Sequence, residues 1–207
     1  MNTTFKTLSI AAALAASLGL AGCAANAGSG NSMPMDHGSS GAMSSTGSMS
    51  PGATADHNQA DIMFAQMMIP HHSQAVEMSD IMLAKSGMPA EVTALATKIK
   101  AAQAPEIEQM TGWLTGWGAP TAMSDNSGHG MTGMVDDSGI EKLKSATGTD
   151  AAKLFLEQMI GHHEGAIEMA QQEISAGKSP DAVKLGHDIV DAQQAEITQM
   201  KQLLATL

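Results

Sequence analysis

The chain contains one helix-like segment twice, and this repetition constrains its fold more than any other feature. MIPHHSQAVEM runs from residue 68 to 78 and MIGHHEGAIEM from 159 to 169, with seven of the eleven positions identical. A second matching pair follows, AQAPEIEQM at 102–110 and AQQAEITQM at 192–200. Each copy predicts a helical hairpin, so the chain is expected to pair two related hairpins.

Glycine and proline mark the predicted helix ends. Gly87 and Gly177 are expected to end the first helix of each repeat, and Pro89 and Pro180 to begin the second. Two antiparallel hairpins can bury their apolar stripes together, so we predict an all-α four-helix bundle. The predicted helices cover residues 58–86, 90–117, 150–176 and 181–205, with a short helix near 139–146. The predicted organisation is a bundle at 57–207, with repeat one at 57–118, a linker at 119–149 and repeat two at 150–207.

The N-terminus has the features of a targeting signal. Lys6 precedes an apolar run from Leu8 to Leu20, which suits a secretory signal and is too short to span a membrane comfortably. The LAGC that ends this region resembles the lipobox of bacterial lipoproteins, which implies lipid attachment at Cys23 and an extracytoplasmic location. Residues 1–22 are thus predicted to be the signal peptide, and residues 23–56, rich in Gly, Ser and Met, a flexible tether.

Composition excludes several classes of function. The chain has 10 Lys, no Arg and 21 acidic residues, giving a net charge of -11, so no nucleic-acid partner is expected. The single cysteine excludes an internal disulfide framework. The 18 methionines are far more than an ordinary domain carries. Methionine is therefore a candidate for chemistry as well as for packing.

The paired histidines fall on the apolar side of their helices. Helical periodicity turns His71 and His162 inward, with His72 and His163 beside them. A buried histidine is usually a core residue and a methionine stripe usually packing. Here the inward His and Met agree between the copies, whereas positions taken as outward, such as Gln74 and Gly165, differ, and this favours metal binding. The candidate ligands are Met67, Met68, His71, His72, Met78, Met110, Met159, His162, His163, Met169 and Met200.

Thioether and imidazole together favour Cu(I), or Ag(I), over Zn²⁺ or Mg²⁺. Di-iron sites in helical bundles use a Glu-x-x-His spacing, but methionine stands three residues before the first histidine of each pair. Imidazole must be neutral to bind, so the histidine share of the affinity is expected to fall below about pH 6. Four polar residues in the apolar stripes of the second helices are predicted first as hydrogen-bond partners of the histidines and only second as ligands: Gln103, Glu106, Gln193 and Glu196.

The pattern F-x-x-x-MI-x-HH-x-x-A-(I/V)-EM, followed by AQ-x-x-EI-x-x-M, resembles the DUF305 family, whose members include periplasmic copper-binding proteins of the CopM type. The resemblance covers residues 57–207. It implies a ferritin-like four-helix bundle that binds copper through Met and His and supports copper resistance. The motif assigns this role to Met68, His71, His72, Met78, Met159, His162, His163 and Met169.

The predicted function is therefore copper buffering, transfer or resistance by a lipid-anchored extracytoplasmic protein. Its expected partners are copper ions, the membrane through Cys23 and another copper-handling protein. Two alternatives stay open: a metal-dependent redox enzyme on the same scaffold, and a structural or partner-binding helical module without metal. No nucleophile triad, phosphate loop or catalytic carboxylate pair can be recognised, so an enzyme is the less favoured interpretation.

Overall fold

The computed structural model describes residues 56–122 and 131–207, and all regular structure in these ranges is helical. The all-α prediction is confirmed, and each helix boundary lies within three residues of the predicted one. The predicted signal peptide and Cys23, with nearly all of the predicted tether, lie outside the described residues. None of the described helices is both long and apolar enough to cross a membrane. The helices are α1 (Gln59–Leu83), α2 (Ala90–Gly116), α3 (Asp137–Ser145), α4 (Gly148–Ala176) and α5 (Pro180–Leu204).

The first and last helices begin with side-chain caps. The Asn58 side chain accepts hydrogen bonds from the backbone N–H groups of Ala60 and Asp61, and the Asp61 carboxylate accepts one from the Asn58 N–H. This reciprocal arrangement is a capping box. At the start of α5 the Ser179 side chain accepts from the N–H of Ala182. Pro180 follows at the first helical position, where its missing N–H costs nothing.

Only one of the two predicted stop glycines borders its helix, because Gly177 is the C-cap of α4 whereas α1 already ends at Leu83, before Gly87. Gly87 has a φ of +71°, a conformation that glycine adopts without strain. Gly177 has a φ of -66°, which any residue can adopt. A Cβ at Gly177 would lie 2.7 Å from the Glu173 carbonyl oxygen, which cannot move aside as a side chain can, so the close approach of this backbone favours glycine.

The four long helices form two hairpins, α1 with α2 and α4 with α5, and the hairpins pack on each other mainly through α1 and α4. The short α3 contacts both α1 and α4. This arrangement places the two histidine-bearing helices in the middle of the molecule, with the glutamate-bearing helices α2 and α5 beside them.

The linker before α3 packs against both histidine-bearing helices. Gln74 Nε2 donates to the Val135 carbonyl and the Val135 N–H donates to Gln74 Oε1, both at 2.8 Å. On α4, Gly165 is buried, and a Cβ there would lie 2.1 Å from the Thr132 carbonyl oxygen. The interpretation of position 165 as outward is therefore wrong, because the linker covers that face of α4.

Gly165→Ala is expected to destabilise the protein by about 1–3 kcal/mol, because the added Cβ forces a backbone shift against Thr132. Gly161→Ala, four residues earlier, is the matched control. Position 161 is exposed and a Cβ there meets nothing within 4 Å, so this variant should gain up to about 1 kcal/mol of helix propensity. Urea unfolding followed by circular dichroism measures both. Equal effects from the two variants would contradict the linker packing.

Candidate metal centre

α1 and α4 bring the four predicted histidines together in the interior. His71, His72 and His163 are fully buried and His162 is 1% exposed. The rings of His71 and His162 meet across the helix interface, with centroids 3.7 Å apart and planes tilted by 36°. The ring centroid of His72 lies 6.5 Å from that of His71, and the ring centroid of His163 lies 6.4 Å from that of His162. The centre is thus an inner pair flanked by two outer histidines.

Each outer histidine is held by a carboxylate from the neighbouring helix. His72 Nε2 lies 2.8 Å from Glu106 Oε2, and His163 Nε2 lies 2.8 Å from Glu196 Oε2. A carboxylate can only accept, so Nε2 carries the hydrogen and Nδ1 keeps its lone pair. Both Nδ1 atoms are buried and have no hydrogen-bond partner among the described residues. A carboxylate on one nitrogen and a free lone pair on the other is the geometry of metal-binding histidine.

The inner histidines make no hydrogen bond of good geometry within the described residues, although the Thr132 backbone lies near His71 and the His71 backbone lies near His162. Nδ1 and Nε2 of both His71 and His162 are buried and make no hydrogen bond. An unsatisfied buried polar group costs about 1–3 kcal/mol. Native structures hold few such groups, and those that persist are often functional. Two imidazoles in contact, each with an unoccupied lone pair, are therefore the strongest indication of a ligand-binding role.

Burial keeps the central imidazoles neutral. Burial, helped by the neighbouring charge of His72, lowers the pKa of His71 to about 3. Burial and the adjacent His71 lower the pKa of His162 well below its usual value. Burial also lowers the pKa of His163, although Glu196 opposes this. Protons therefore compete for the nitrogens of His71 and His162 at lower pH than an unperturbed imidazole implies, so their share of the affinity is expected to persist below about pH 6.

The Glu196 carboxylate, which accepts the hydrogen bond of the outer histidine His163, is ionised. Burial alone would raise the pKa of Glu196, but the hydrogen bond and charge of His163, together with Lys98, outweigh it and lower that pKa. Lys98 Nζ lies 3.4 Å from Glu196 Oε1. Since Glu196 is only 4% exposed, its charge depends on these two neighbours.

The candidate methionines lie in two clusters, each drawing on both repeats. One cluster contains Met78, Met159 and Met200 and the other contains Met68, Met110 and Met169. The two methionines that bracket one histidine pair along the sequence thus belong to different clusters. Half-buried Met67 packs against the second cluster. The metal roles of these methionines stay predictions.

Gln103 and Gln193 make no hydrogen bond to the histidines in the described part of the chain. Both are buried, and both amide atoms of Gln103 and the Oε1 atom of Gln193 have no partner there. The glutamates three residues later, Glu106 and Glu196, occupy the histidine nitrogens instead. The expectation that the glutamines also hold the histidines is therefore not what the structure shows.

The structure also reveals a buried carboxyl pair that the sequence analysis did not single out. Asp61 is fully buried and its Oδ1 accepts hydrogen bonds from the backbone N–H groups of Lys178 and Ser179, at 2.9 and 2.8 Å. Glu173, 2% exposed, lies against it. Burial, together with Asp61, raises the pKa of Glu173 to about 8. The capping position of Asp61 was a readable signal, whereas nothing local marks Glu173.

Among the described residues, no three or more His, Cys, Asp or Glu side chains form a group able to hold a metal ion. A metal at the inner pair would therefore have two imidazole ligands, or would take thioethers as well. Low coordination numbers and soft ligands suit Cu(I) better than Zn²⁺ or iron.

Comparison with known proteins places the chain in a family. The profile of a domain of unknown function, DUF305, matches residues 61–204. A DUF305 protein from Streptomyces coelicolor is 36% identical, with 71% of this chain and 93% of that chain covered and a TM-score of 0.67. A DUF305 fragment from Deinococcus radiodurans is 30% identical, with 72% and 98% covered and a TM-score of 0.66.

Copper-bound structures are also among the similar proteins. CopM in its Cu(II)-bound form is 35% identical, with 70% of this chain and 96% of that chain covered and a TM-score of 0.61. No curated protein sequence matches the chain significantly. Since the family profile spans most of the chain, from α1 to the last residue of α5, the protein belongs to the DUF305 family.

Proposed function

We propose that this protein is an extracytoplasmic copper-binding protein that buffers or transfers Cu(I) through its histidine and methionine side chains. The observation that carries the proposal is the inner pair, His71 and His162, buried in contact and without any hydrogen-bond partner among the described residues. The scaffold is proposed to be a ferritin-like four-helix bundle of two hairpin repeats. A lipid on Cys23 is proposed to hold it at a membrane.

The chemistry of the centre supports a soft metal. The inner imidazoles are kept neutral by burial, and Met68 and Met159 stand three residues before them in the same helices. Neither imidazole nor thioether then needs to lose a proton before binding. The similar CopM was solved with Cu(I), Cu(II) and silver bound. Ag(I) is the redox-inert analogue of Cu(I), so a site for both indicates soft monovalent chemistry. The Streptomyces relative is described as secreted, which supports an extracytoplasmic location.

Replacing His71, His72, His162 and His163 with Ala should lower the Cu(I) affinity at least about 100-fold, because all imidazole ligands are lost. Competition with a Cu(I) chelator measures the affinity, and native mass spectrometry counts the bound ions. His187→Ala is the matched control, since that histidine is exposed and lies outside the centre. Unchanged affinity and stoichiometry in the quadruple variant would contradict the proposal and indicate binding by the methionines alone.

The metal-loaded protein also allows a carrier to be distinguished from an enzyme. A carrier should give up its copper to a competing chelator and show no multiple turnovers with peroxide or oxygen. Turnover by the copper-loaded or iron-loaded protein that disappears in His163→Ala would favour the redox alternative. We propose the carrier, because no carboxylate-rich metal site accompanies the histidines in the described ranges and di-iron chemistry depends on such a site.

A further inference from the structure

Three methionines line a small cavity where the N-terminal half of α1 meets the C-terminal half of α4. The cavity has a volume of about 140 Å³. Met63 is 43% exposed, Met67 is half-buried and Met169 is 5% exposed. Met63 is also the one large apolar side chain that the described part of the chain leaves exposed. Thioether groups are thus presented to solvent at this end of the α1 and α4 interface.

The methionines of the cavity continue into the interior. Met67 packs against the buried cluster that contains Met68, Met110 and Met169. Met68 precedes His71 by three residues, about one turn of the same helix. A series of thioethers therefore leads from solvent at Met63 toward the inner histidine pair.

The opposite end of the interface offers no such series. The residues of repeat two that correspond to Met63 and Met67 are Leu154 and Gln158. Gln158 Nε2 donates to the carbonyl of Gly139 in α3 at 3.0 Å. Buried Ile140 of α3 joins the core cluster there. One end of the α1 and α4 interface is thus covered by α3, whereas the other end is open and lined by methionine side chains.

The lining suits a soft cation. Its polar side chains are Gln172 and Glu173, and no Lys or Arg lines the cavity. The remaining lining is apolar, so oxygen ligands are too few for Mg²⁺ or Ca²⁺, which take about six or more. Thioether sulfur binds Cu(I) and Ag(I) in preference to hard ions.

We propose that Met63, Met67 and Met169 form an outer site for a soft monovalent cation, Cu(I) or Ag(I), through which the metal reaches the buried histidines. This inference rests on the proposed copper-binding function and adds the route and the first contact site. The route is used at one end only, because α3 covers the other.

The test is an Ag(I) titration of the full chain labelled with ¹³C at the methionine methyl groups. The methyl signals of Met63, Met67 and Met169 should shift on Ag(I) addition, and stopped-flow loading should report the rate of metal uptake. Met63→Leu/Met67→Leu removes two thioethers with little change in volume. Loading of this variant should slow at least about tenfold, with its final affinity changed less.

Met88→Leu/Met134→Leu is the matched control, because both of these methionines are partly buried and lie outside the cavity. It should load at the wild-type rate. Unshifted Met63, Met67 and Met169 methyl signals, or unchanged loading of the cavity variant, would overturn the outer site while leaving histidine-dependent copper binding intact. Tight binding that survives loss of all four central histidines would instead overturn the proposed function. If the double variant fails to fold, Met63→Leu alone, at an exposed position, decides the question.

Discussion

Replacing His71 and His162 together with leucine is expected to stabilise the metal-free protein while its tight Cu(I) binding is lost. The substitution removes four buried ring nitrogens that have no partner among the described residues and supplies apolar groups of similar size. The expected gain in the free energy of unfolding is about 1–3 kcal/mol. Binding should weaken at least about 100-fold, because the pair in contact supplies both central lone pairs.

The outer histidines, His72 and His163, provide the matched comparison. Their replacement is expected to change the free energy of unfolding in the opposite direction. Replacing His72 and His163 with leucine removes their hydrogen bonds to Glu106 and Glu196. Glu196, only 4% exposed, then loses its main partner. This variant should lose about 1–3 kcal/mol. Urea unfolding of both variants in the presence of a chelator measures whether the free energy of unfolding rises or falls in each. Destabilisation of equal size in both would contradict the assignment of the inner pair as a binding site.

The sequence predicted the features of this protein that depend on helical periodicity. The spacing of apolar residues turns His71 and His162 inward whatever the helices pack against, and the structure places both in the interior. The start of α5 was equally readable, because Pro180 acts within one turn. Such features need only local chain geometry.

Other features depended on contacts between distant segments and could not be read in advance. Met68 and Met78 bracket one histidine pair in sequence, but they join different clusters because each packs against methionine from α4. Gly165 looked like a diverged surface position, whereas the linker at Thr132 requires it. Asp61 and Glu173 are more than a hundred residues apart. Only the packing of α1 on α4 brings these groups together.

Glu173→Gln is expected to abolish a loss of stability that the wild-type protein undergoes in mild alkali. Glu173 keeps its proton in the folded protein up to a pKa of about 8, whereas an unfolded glutamate loses it near about 4.3. Its stabilising contribution is therefore complete below the unfolded pKa and is lost as the pH rises through the folded pKa. Asp61 has a lowered pKa, so its contribution changes only in acid. The buried histidines also have lowered pKa values, and because an unfolded histidine titrates near about 6.5, they add stability as the pH rises through that value, equally in wild type and in Glu173→Gln.

Between pH 6.5 and 8.5 the free energy of unfolding of the metal-free wild-type protein should fall by about 1–2 kcal/mol relative to that of Glu173→Gln. Glutamine should remove this relative fall, because its amide is neutral like the protonated acid and cannot ionise. Thermal unfolding at several pH values measures this, at roughly 2–4 °C per kcal/mol for a chain of this size. Exposed Glu168→Gln, on the same helix, should follow the wild-type profile. Parallel pH profiles for wild type and Glu173→Gln would mean that Glu173 does not keep its proton at neutral pH, and that the end of α4 is held to α1 by the Asp61 hydrogen bonds alone.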